Sequence, residues 1–273
     1  MIARNRPSIR TKRAGPTRTL AAACATIAFT AAICHASAAT ARDLVVYGEP
    51  TLESALNAVG SLWRSRSGVG VHVFVAPADL SLAQIERGAR CDVIVAGAAA
   101  LADGEHRKLV DPDTKAPLFR NALVIVARTA TALQAPPASV TLAALLAGKR
   151  LALANPDRDL AGRYALEALS KSGLDMNAQS KSVAIAESST AVLTYLDENR
   201  AELGIVYASD AKRSGARVLM PLSEDLYPAI EYVAAQTAEP QGDPDEFLDF
   251  LASDEAATVF RSAGLRPIAQ EDK

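Results

Sequence analysis

The chain of 273 residues is poor in the residue types that usually carry catalysis or hold metals. It contains three histidines and three cysteines, and beyond the first 38 residues only His72, His106 and Cys91 remain. These three positions lie far apart in sequence and lack the spacing of metal ligands. The nucleophile motif G-x-S-x-G, the phosphate-binding P-loop and the dinucleotide motif G-x-G-x-x-G are also missing. The sequence therefore predicts neither an enzyme nor a cofactor or metal site.

The first 38 residues contain no acidic residue and begin with a basic stretch. An apolar run from Leu20 to Ile33 follows, and it is too short and too rich in alanine to predict a membrane span. Ala36-Ser37-Ala38 completes the pattern of a secretory signal cut after Ala38. Lipid attachment at Cys24 is the alternative, although Ala21 stands where a larger aliphatic residue is usual. Either interpretation predicts export, and we expect a periplasmic protein.

Removal of this segment makes the chain acidic. Six of the 29 basic residues fall within it, so the remainder carries 23 basic against 31 acidic residues, a net charge of about −8. Such a charge argues against nucleic acid as a partner. Cys91 is then the only cysteine, so no intramolecular disulfide is possible.

The rest of the sequence alternates strand-like apolar runs with helical patterns, as in βαβ units. The predicted strands are 44–47, 71–75, 92–96, 122–127, 151–154, 183–186, 203–207 and 230–234. The predicted helices run through 52–63, 79–88, 160–172, 190–198, 245–251 and 254–263. This order predicts an α/β fold.

Four segments resemble the periplasmic molybdate-binding proteins of ABC importers, and their order and spacing make the match specific. They are Gln84-Ile85-Glu86-Arg87-Gly88-Ala89 with Cys91-Asp92-Val93, Asn121 to Ala127, Leu160-Ala161-Gly162-Arg163-Tyr164 with Glu167-Ala168-Leu169, and Gly204-Ile205-Val206-Tyr207 with Ser209-Asp210-Ala211. The resemblance implies a two-lobed periplasmic-binding-protein fold of type II. Each lobe would be a mixed, mostly parallel sheet flanked by helices, with the ligand in the cleft between them. Lobe 1 would comprise 39–121 and 229–273, and lobe 2 would comprise 122–228.

The resemblance also implies a function and a set of contacts. The protein would bind a small tetrahedral oxyanion, molybdate or tungstate, and deliver it as a monomer to an ABC permease and its ATPase. Such an anion is held by hydroxyls and by backbone N–H groups at helix starts, which carry unpaired donors and a partial positive charge. Carried over by alignment, the contacting positions are Thr51, Asp79, Ala161, Ser189 and Tyr207.

Several of these positions have a plain structural alternative. Tyr207 could simply end a core strand, and Thr51 or Ser189 could be ordinary helix caps. Ala161 could lie in an ordinary helix start capped by Asp159. The residue types leave both interpretations open.

Asp79 is the sharpest departure, because the family has a serine-rich turn at this position. Two like charges about 4 Å apart cost several kcal/mol even at an effective dielectric near 20, so an inward carboxylate would repel a dianion. Asp79 could instead be an N-cap turned away from the cleft. If Asp79 or Glu49 faces inward, the ligand would be a protonated oxyanion such as phosphate, or a small polar or cationic organic solute. A periplasmic accessory or sensor protein that has lost transport is a further alternative.

Overall fold

The computed structural model describes residues 42–128, 135–137, 139–174 and 182–268, and all of them fall within one compact unit. The predicted leader, residues 1–38, and the alternative lipid site at Cys24 lie outside the described residues. Within these ranges, none of the helices has the length and apolar character needed to cross a membrane.

Strands and helices alternate through most of the described chain. The strands are β1 (Leu44–Gly48), β2 (Val71–Val75), β3 (Val93–Gly97), β4 (Ala116–Asn121), β5 (Leu123–Ala127), β6 (Leu151–Ala154), β7 (Val183–Ala186), β8 (Leu203–Tyr207), β9 (Arg217–Pro221), β10 (Ile230–Gln236) and β11 (Arg266–Pro267). The helices are α1 (Glu53–Ser67), α2 (Ala78–Glu86), α3 (Ala98–His106), α4 (Leu142–Leu146), α5 (Leu160–Lys171), α6 (Ser189–Asp197), α7 (Ala208–Ser214), α8 (Asp245–Leu251) and α9 (Asp254–Ser262).

The strands form two mixed sheets. The first has the order β11-β4-β10-β3-β1-β2, in which β1 pairs in parallel with β2 and β3, while β10 and β11 pair antiparallel. The second has the order β7-β6-β8-β5-β9, in which β6 pairs in parallel with β7 and β8, while β5 is antiparallel to both neighbours. The predicted α/β class with two mixed, helix-flanked sheets is confirmed. The predicted lobe boundaries at 121/122 and 228/229 fall where the chain passes from one sheet to the other, but a division into two lobes stays a prediction.

Burial explains why the central strands are almost wholly apolar. All five residues of β1, β5 and β8 are buried, because these strands lie inside the two mixed sheets and helices flank the sheets. Leu52, which caps α1, recurs at helical spacing with Leu56 and Val59 of α1, and all three are almost fully covered. Trp63 of α1 packs edge-on against Phe247 of α8, with ring centroids 5.6 Å apart. This contact holds α1 against α8.

Six elements were not predicted: β4, β9, β11, α3, α4 and α7. Pro117 lies within β4, at the irregularity where the register with β10 shifts. Because proline is rare inside strands and common in turns, the local sequence did not predict this strand. The small residues after Tyr207 suggested a turn, but Ala208 begins α7, and Gly215 ends it in the left-handed conformation with φ of 69°. These elements depend on partners distant in sequence.

Candidate functional site

Polar side chains gather where the carboxyl ends of β1 and β3 approach the end of β8. The loop after β1 supplies Glu49 and Thr51, and the start of α7, directly after β8, supplies Ser209 and Asp210. The backbone N–H of Gly97, at the end of β3, donates to Glu49 Oε1 at 2.8 Å. Carboxyl ends of parallel strands are where open α/β sheets bind ligands.

Thr51 joins the two sheets through its hydroxyl. Its Oγ1 lies 2.9 Å from Ser209 Oγ and 3.2 Å from Asp210 Oδ1. Asn121, the last residue of β4, donates from Nδ2 to Ser209 Oγ at 2.9 Å. Hydrogen bonds therefore connect residues of the first sheet and its loops with α7.

Asp210 is the acceptor at the centre of this network. Its side chain is 1% exposed, and its Oδ2 accepts from Ser189 Oγ at 2.8 Å. Arg213, one turn along α7, donates from Nη2 to Oδ1 at 2.9 Å. Ser189 Oγ accepts in turn from the backbone N–H of Tyr207 at 3.2 Å.

The directions of these bonds determine which hydrogens remain for a ligand. An ionised carboxylate only accepts, so both Thr51 and Ser189 donate their single hydroxyl hydrogen to Asp210. Ser209 must then donate to Thr51, which leaves its lone pairs to accept from Asn121. The aliphatic hydroxyls of Thr51 and Ser189, two of the three hydroxyl-bearing positions predicted as ligand contacts, are therefore both committed to Asp210.

Two helix N-termini converge on the carboxylate of Asp159. Its Oδ1 accepts from the backbone N–H of Ala161 in α5 at 2.8 Å, and its Oδ2 accepts from the backbone N–H of Ser189 in α6 at 2.9 Å. Asp159 is the N-cap of α5, which confirms the cap predicted for that helix. The bond to Ser189 spans 30 residues and brings the start of α6 to the same point. The two N–H groups thus form a cradle for one planar anion.

The site is strongly acidic. Burial raises the pKa of the Glu49 carboxyl and the nearby Asp159 carboxylate raises it further, while the hydrogen bond from Gly97 acts in the opposite direction. Burial also raises the pKa of Asp159, against the effect of its two backbone hydrogen bonds, and Asp210 adds to the increase. Glu49 and Asp159, which come from different sheets, are therefore close enough to repel each other.

Tyr207 stands among these carboxylates at the end of β8. Burial raises the pKa of its phenol well above the ordinary value, and Asp159, Glu49 and Asp210 raise it further, so the phenol keeps its proton at neutral pH. The residue is 6% exposed, and its protonated hydroxyl lies among three carboxylates. A protonated phenol can donate one hydrogen bond, as a contact with an oxyanion requires.

Four of the five predicted positions belong to this region, and Asp79 does not share their contacts. Asp79 is exposed in the first turn of α2 and makes no hydrogen bond or ion pair with any described residue. Its alternative role as N-cap is wrong, because Pro77 occupies that position. Thr51 is not the cap of α1 either; Leu52 is, and Thr51 lies in the preceding 3-10 turn. Ser189 begins α6, and the cap is Ser188.

Sequence reasoning missed four polar residues of the site: Asn121, Asp159, Ser209 and Asp210. Asp159 was recognised only as a cap, because its bond to Ser189 joins segments that sequence spacing does not relate. Asn121, Ser209 and Asp210 were part of quoted segments, but their contacts with one another and with Thr51 and Ser189 follow from packing. The sequence left open whether Asp79 or Glu49 faces inward; Asp79 is exposed, and Glu49 accepts from the backbone N–H of Gly97.

Other features of the described residues do not form an alternative centre. No group of three or more His, Cys, Asp or Glu side chains within the described ranges could hold a metal ion. Cavities of about 430 Å³ beside Trp63 and Phe250, and of about 320 Å³ beside Leu146 and Leu174, are lined by none of the cluster residues. The cluster around Asp159 and Tyr207 is therefore our candidate site.

Comparisons with known proteins match most of the described chain. The family model described as bacterial extracellular solute-binding protein matches residues 44–266. The chain is 31% identical over 226 residues to the molybdate-binding protein ModA of Escherichia coli strain K12, covering 81% of this chain and 88% of that protein.

Two solved structures share the fold. A substrate-binding domain assigned to a molybdenum ABC transporter from Clostridium difficile superposes with a TM-score of 0.72 at 22% identity, covering 83% of this chain and 99% of that one. The periplasmic molybdate-binding protein of Azotobacter vinelandii superposes with a TM-score of 0.64 at 18% identity, covering 82% and 98%. At these identities the likeness concerns the fold alone.

Proposed function

The chain belongs to the family of bacterial extracellular solute-binding proteins, whose members bind solutes and are not enzymes, and from this premise we propose that it is the periplasmic binding component of an ABC importer for a small oxyanion. Molybdate and tungstate are the first candidate ligands, because the curated relative is a molybdate-binding protein. The partners would be an ABC permease and its ATPase, with the binding protein acting as a monomer. The chain would reach the periplasm after cleavage behind Ala38.

The observation that carries this proposal is the cradle formed by Ala161 and Ser189. Two backbone N–H groups, each at the start of a helix, point at one pair of carboxylate oxygens at 2.8 and 2.9 Å. Such donors together with two helix dipoles favour an anion. The two oxygens of the Asp159 carboxylate occupy the positions that we propose for two oxygens of the ligand.

The second part of the proposal is a cleft between the two sheets that closes over the ligand. Residues 39–121 and 229–273 would form one lobe and 122–228 the other, joined by the crossings near Ala122 and Tyr227. Thr51 in the first lobe contacts Ser209 and Asp210 in the second. A hinge motion that makes and breaks such contacts would couple ligand binding to closure.

Calorimetric titration of the protein lacking residues 1–38 with molybdate, tungstate, sulfate and phosphate tests the proposal. We expect binding of at least one oxyanion, weakened roughly tenfold to a hundredfold in Tyr207→Phe, since a hydrogen bond to a charged group contributes about 1.5–3 kcal/mol. Tyr195→Phe is the matched control, because Tyr195 lies on α6 beneath Arg200, outside the cluster. Absence of binding to all four anions would refute the proposal.

A second candidate keeps the fold and changes the ligand. Burial and the charge of Asp159 raise the pKa of Glu49, and the hydroxyls of Thr51 and Ser189 are both committed to Asp210. Acceptors therefore outnumber free hydrogens, which favours a solute that carries donors, such as hydrogen phosphate, a polyol or a small amine. Glu49→Gln separates the candidates. It should strengthen binding of a fully deprotonated oxyanion and weaken binding of an amine.

A further inference from the structure

The carboxylate that the cradle holds belongs to Asp159 and is therefore covalently attached to the protein. Asp159 is fixed at the start of α5 by its backbone, and both of its oxygens are engaged by helix N–H groups. All three partners, Asp159, Ala161 and Ser189, belong to elements that pack on the second sheet, where α5 and α6 both contact β6. The arrangement therefore does not depend on contacts with the first sheet.

An oxyanion that used the same two N–H groups would have to displace this carboxylate. A backbone N–H donates one good hydrogen bond, so Ala161 and Ser189 cannot serve Asp159 and a second anion at full strength. The displaced carboxylate would also stay nearby, held by its backbone and close to Glu49 and Asp210. A like charge at that range repels a dianion more strongly than a monoanion.

Resting on the proposed function, we propose that Asp159 is a tethered competitor that occupies the anion cradle and sets the specificity of the site against fully deprotonated dianions. Molybdate binds by displacing it, and so binds more weakly than the cradle alone would allow. An oxyanion that retains a proton is less disfavoured, because its O–H can donate to the carboxylate.

The size of the effect follows from the bonds that must break. Hydrogen bonds to an ionised group are each worth about tenfold or more in an equilibrium constant, so two of them correspond to roughly a hundredfold. Asp159→Asn keeps a capping oxygen for Ala161 and releases the N–H of Ser189, because its second atom is a donor. The variant also removes the negative charge.

The test is calorimetric titration of sodium molybdate into wild type, Asp159→Asn and Asp157→Asn. Asp157 is an exposed carboxylate in the same loop, so its variant changes the charge equally without touching the cradle. We expect Asp159→Asn, which releases one of the two N–H groups and removes the charge, to bind molybdate at least about tenfold more tightly than wild type, and Asp157→Asn to bind as wild type does. Thermal unfolding checks that each variant is folded, and Asp159→Ser, which keeps a cap without charge, replaces the asparagine variant if that one is not.

The outcomes separate the inference from the function on which it rests. Equal molybdate affinity in wild type and Asp159→Asn, or weaker binding in the variant, would overturn the inference while leaving the oxyanion function in place. Failure of wild type to bind any of molybdate, tungstate, sulfate and phosphate would overturn the proposed function, and the inference with it.

Discussion

Replacing Asp210 by alanine should destabilise the fold by about 3–5 kcal/mol. Its carboxylate is almost fully buried and accepts from Ser189 Oγ at 2.8 Å, from Thr51 Oγ1 at 3.2 Å and from Arg213 Nη2 at 2.9 Å. Truncation leaves the buried Ser189 hydroxyl without an acceptor and breaks the contact with Thr51.

The magnitude follows from the burial of each donor. Hydrogen bonds to an ionised acceptor contribute about 1.5–3 kcal/mol each, and Ser189 and Thr51 supply two of them. The Arg213 side chain is 43% exposed, so water screens its ion pair with Asp210. This ion pair therefore contributes less than about 1 kcal/mol to stability. Asp210→Asn, which keeps one acceptor oxygen, should lose about half as much as the alanine variant.

Urea unfolding, followed by circular dichroism and by the fluorescence of Trp63, the single tryptophan, measures the loss. With a denaturant slope of about 2–3 kcal/mol/M, the midpoint should fall by roughly 1–2 M in Asp210→Ala. Asp197→Ala removes an exposed carboxylate at the end of α6 and should stay within about 0.5 kcal/mol of wild type. A loss below about 1 kcal/mol in Asp210→Ala would refute the structural role of this network.

Two further predictions concern the site and its support. The pKa of Glu49 is raised above its ordinary value of 4.5 in the folded protein. Between these two pKa values the folded protein binds more protons than the unfolded chain. The free energy of unfolding therefore falls as pH rises through the folded pKa. Glu49→Gln should therefore be more stable than wild type at pH 7, and the difference should shrink below pH 4.5; parallel stability curves in urea titrations across pH would contradict this. Gly162→Ala should destabilise by about 1–3 kcal/mol and weaken ligand binding, because its Cβ would lie 2.2 Å from the Ala154 carbonyl oxygen and push α5 away from β6. Exposed Ser170→Ala in the same helix is the control, and equal unfolding midpoints of the two variants would show that α5 accommodates the methyl group.

The apolar periodicity of the sequence predicted most strands and helices correctly. The runs Leu123–Ala127 and Leu203–Tyr207 are apolar because both faces of each strand are buried, so composition alone marks them as central strands. The segments that gave the family resemblance lie at the end of α2 and the start of β3, in β5, in α5, and in β8 with the start of α7, and the family is confirmed. By contrast, β4 and α7 were missed because Pro117 and a run of small residues resemble turns locally, while pairing and packing decide their conformation.

Within the site, sequence placed Tyr207 at a strand end and Asp159 at a helix start, since both positions are local. It could not show that Ser189, 30 residues after Asp159, donates to the same carboxylate, or that Asp210 accepts from both Thr51 and Ser189. Such contacts depend on how helices from separate βα units are oriented on the sheet, and spacing along the chain does not encode that orientation. The sequence by itself determined the α/β class and the family, whereas the tertiary structure decided which groups Asp159 and Asp210 bind, because side-chain contacts are fixed only when the elements pack.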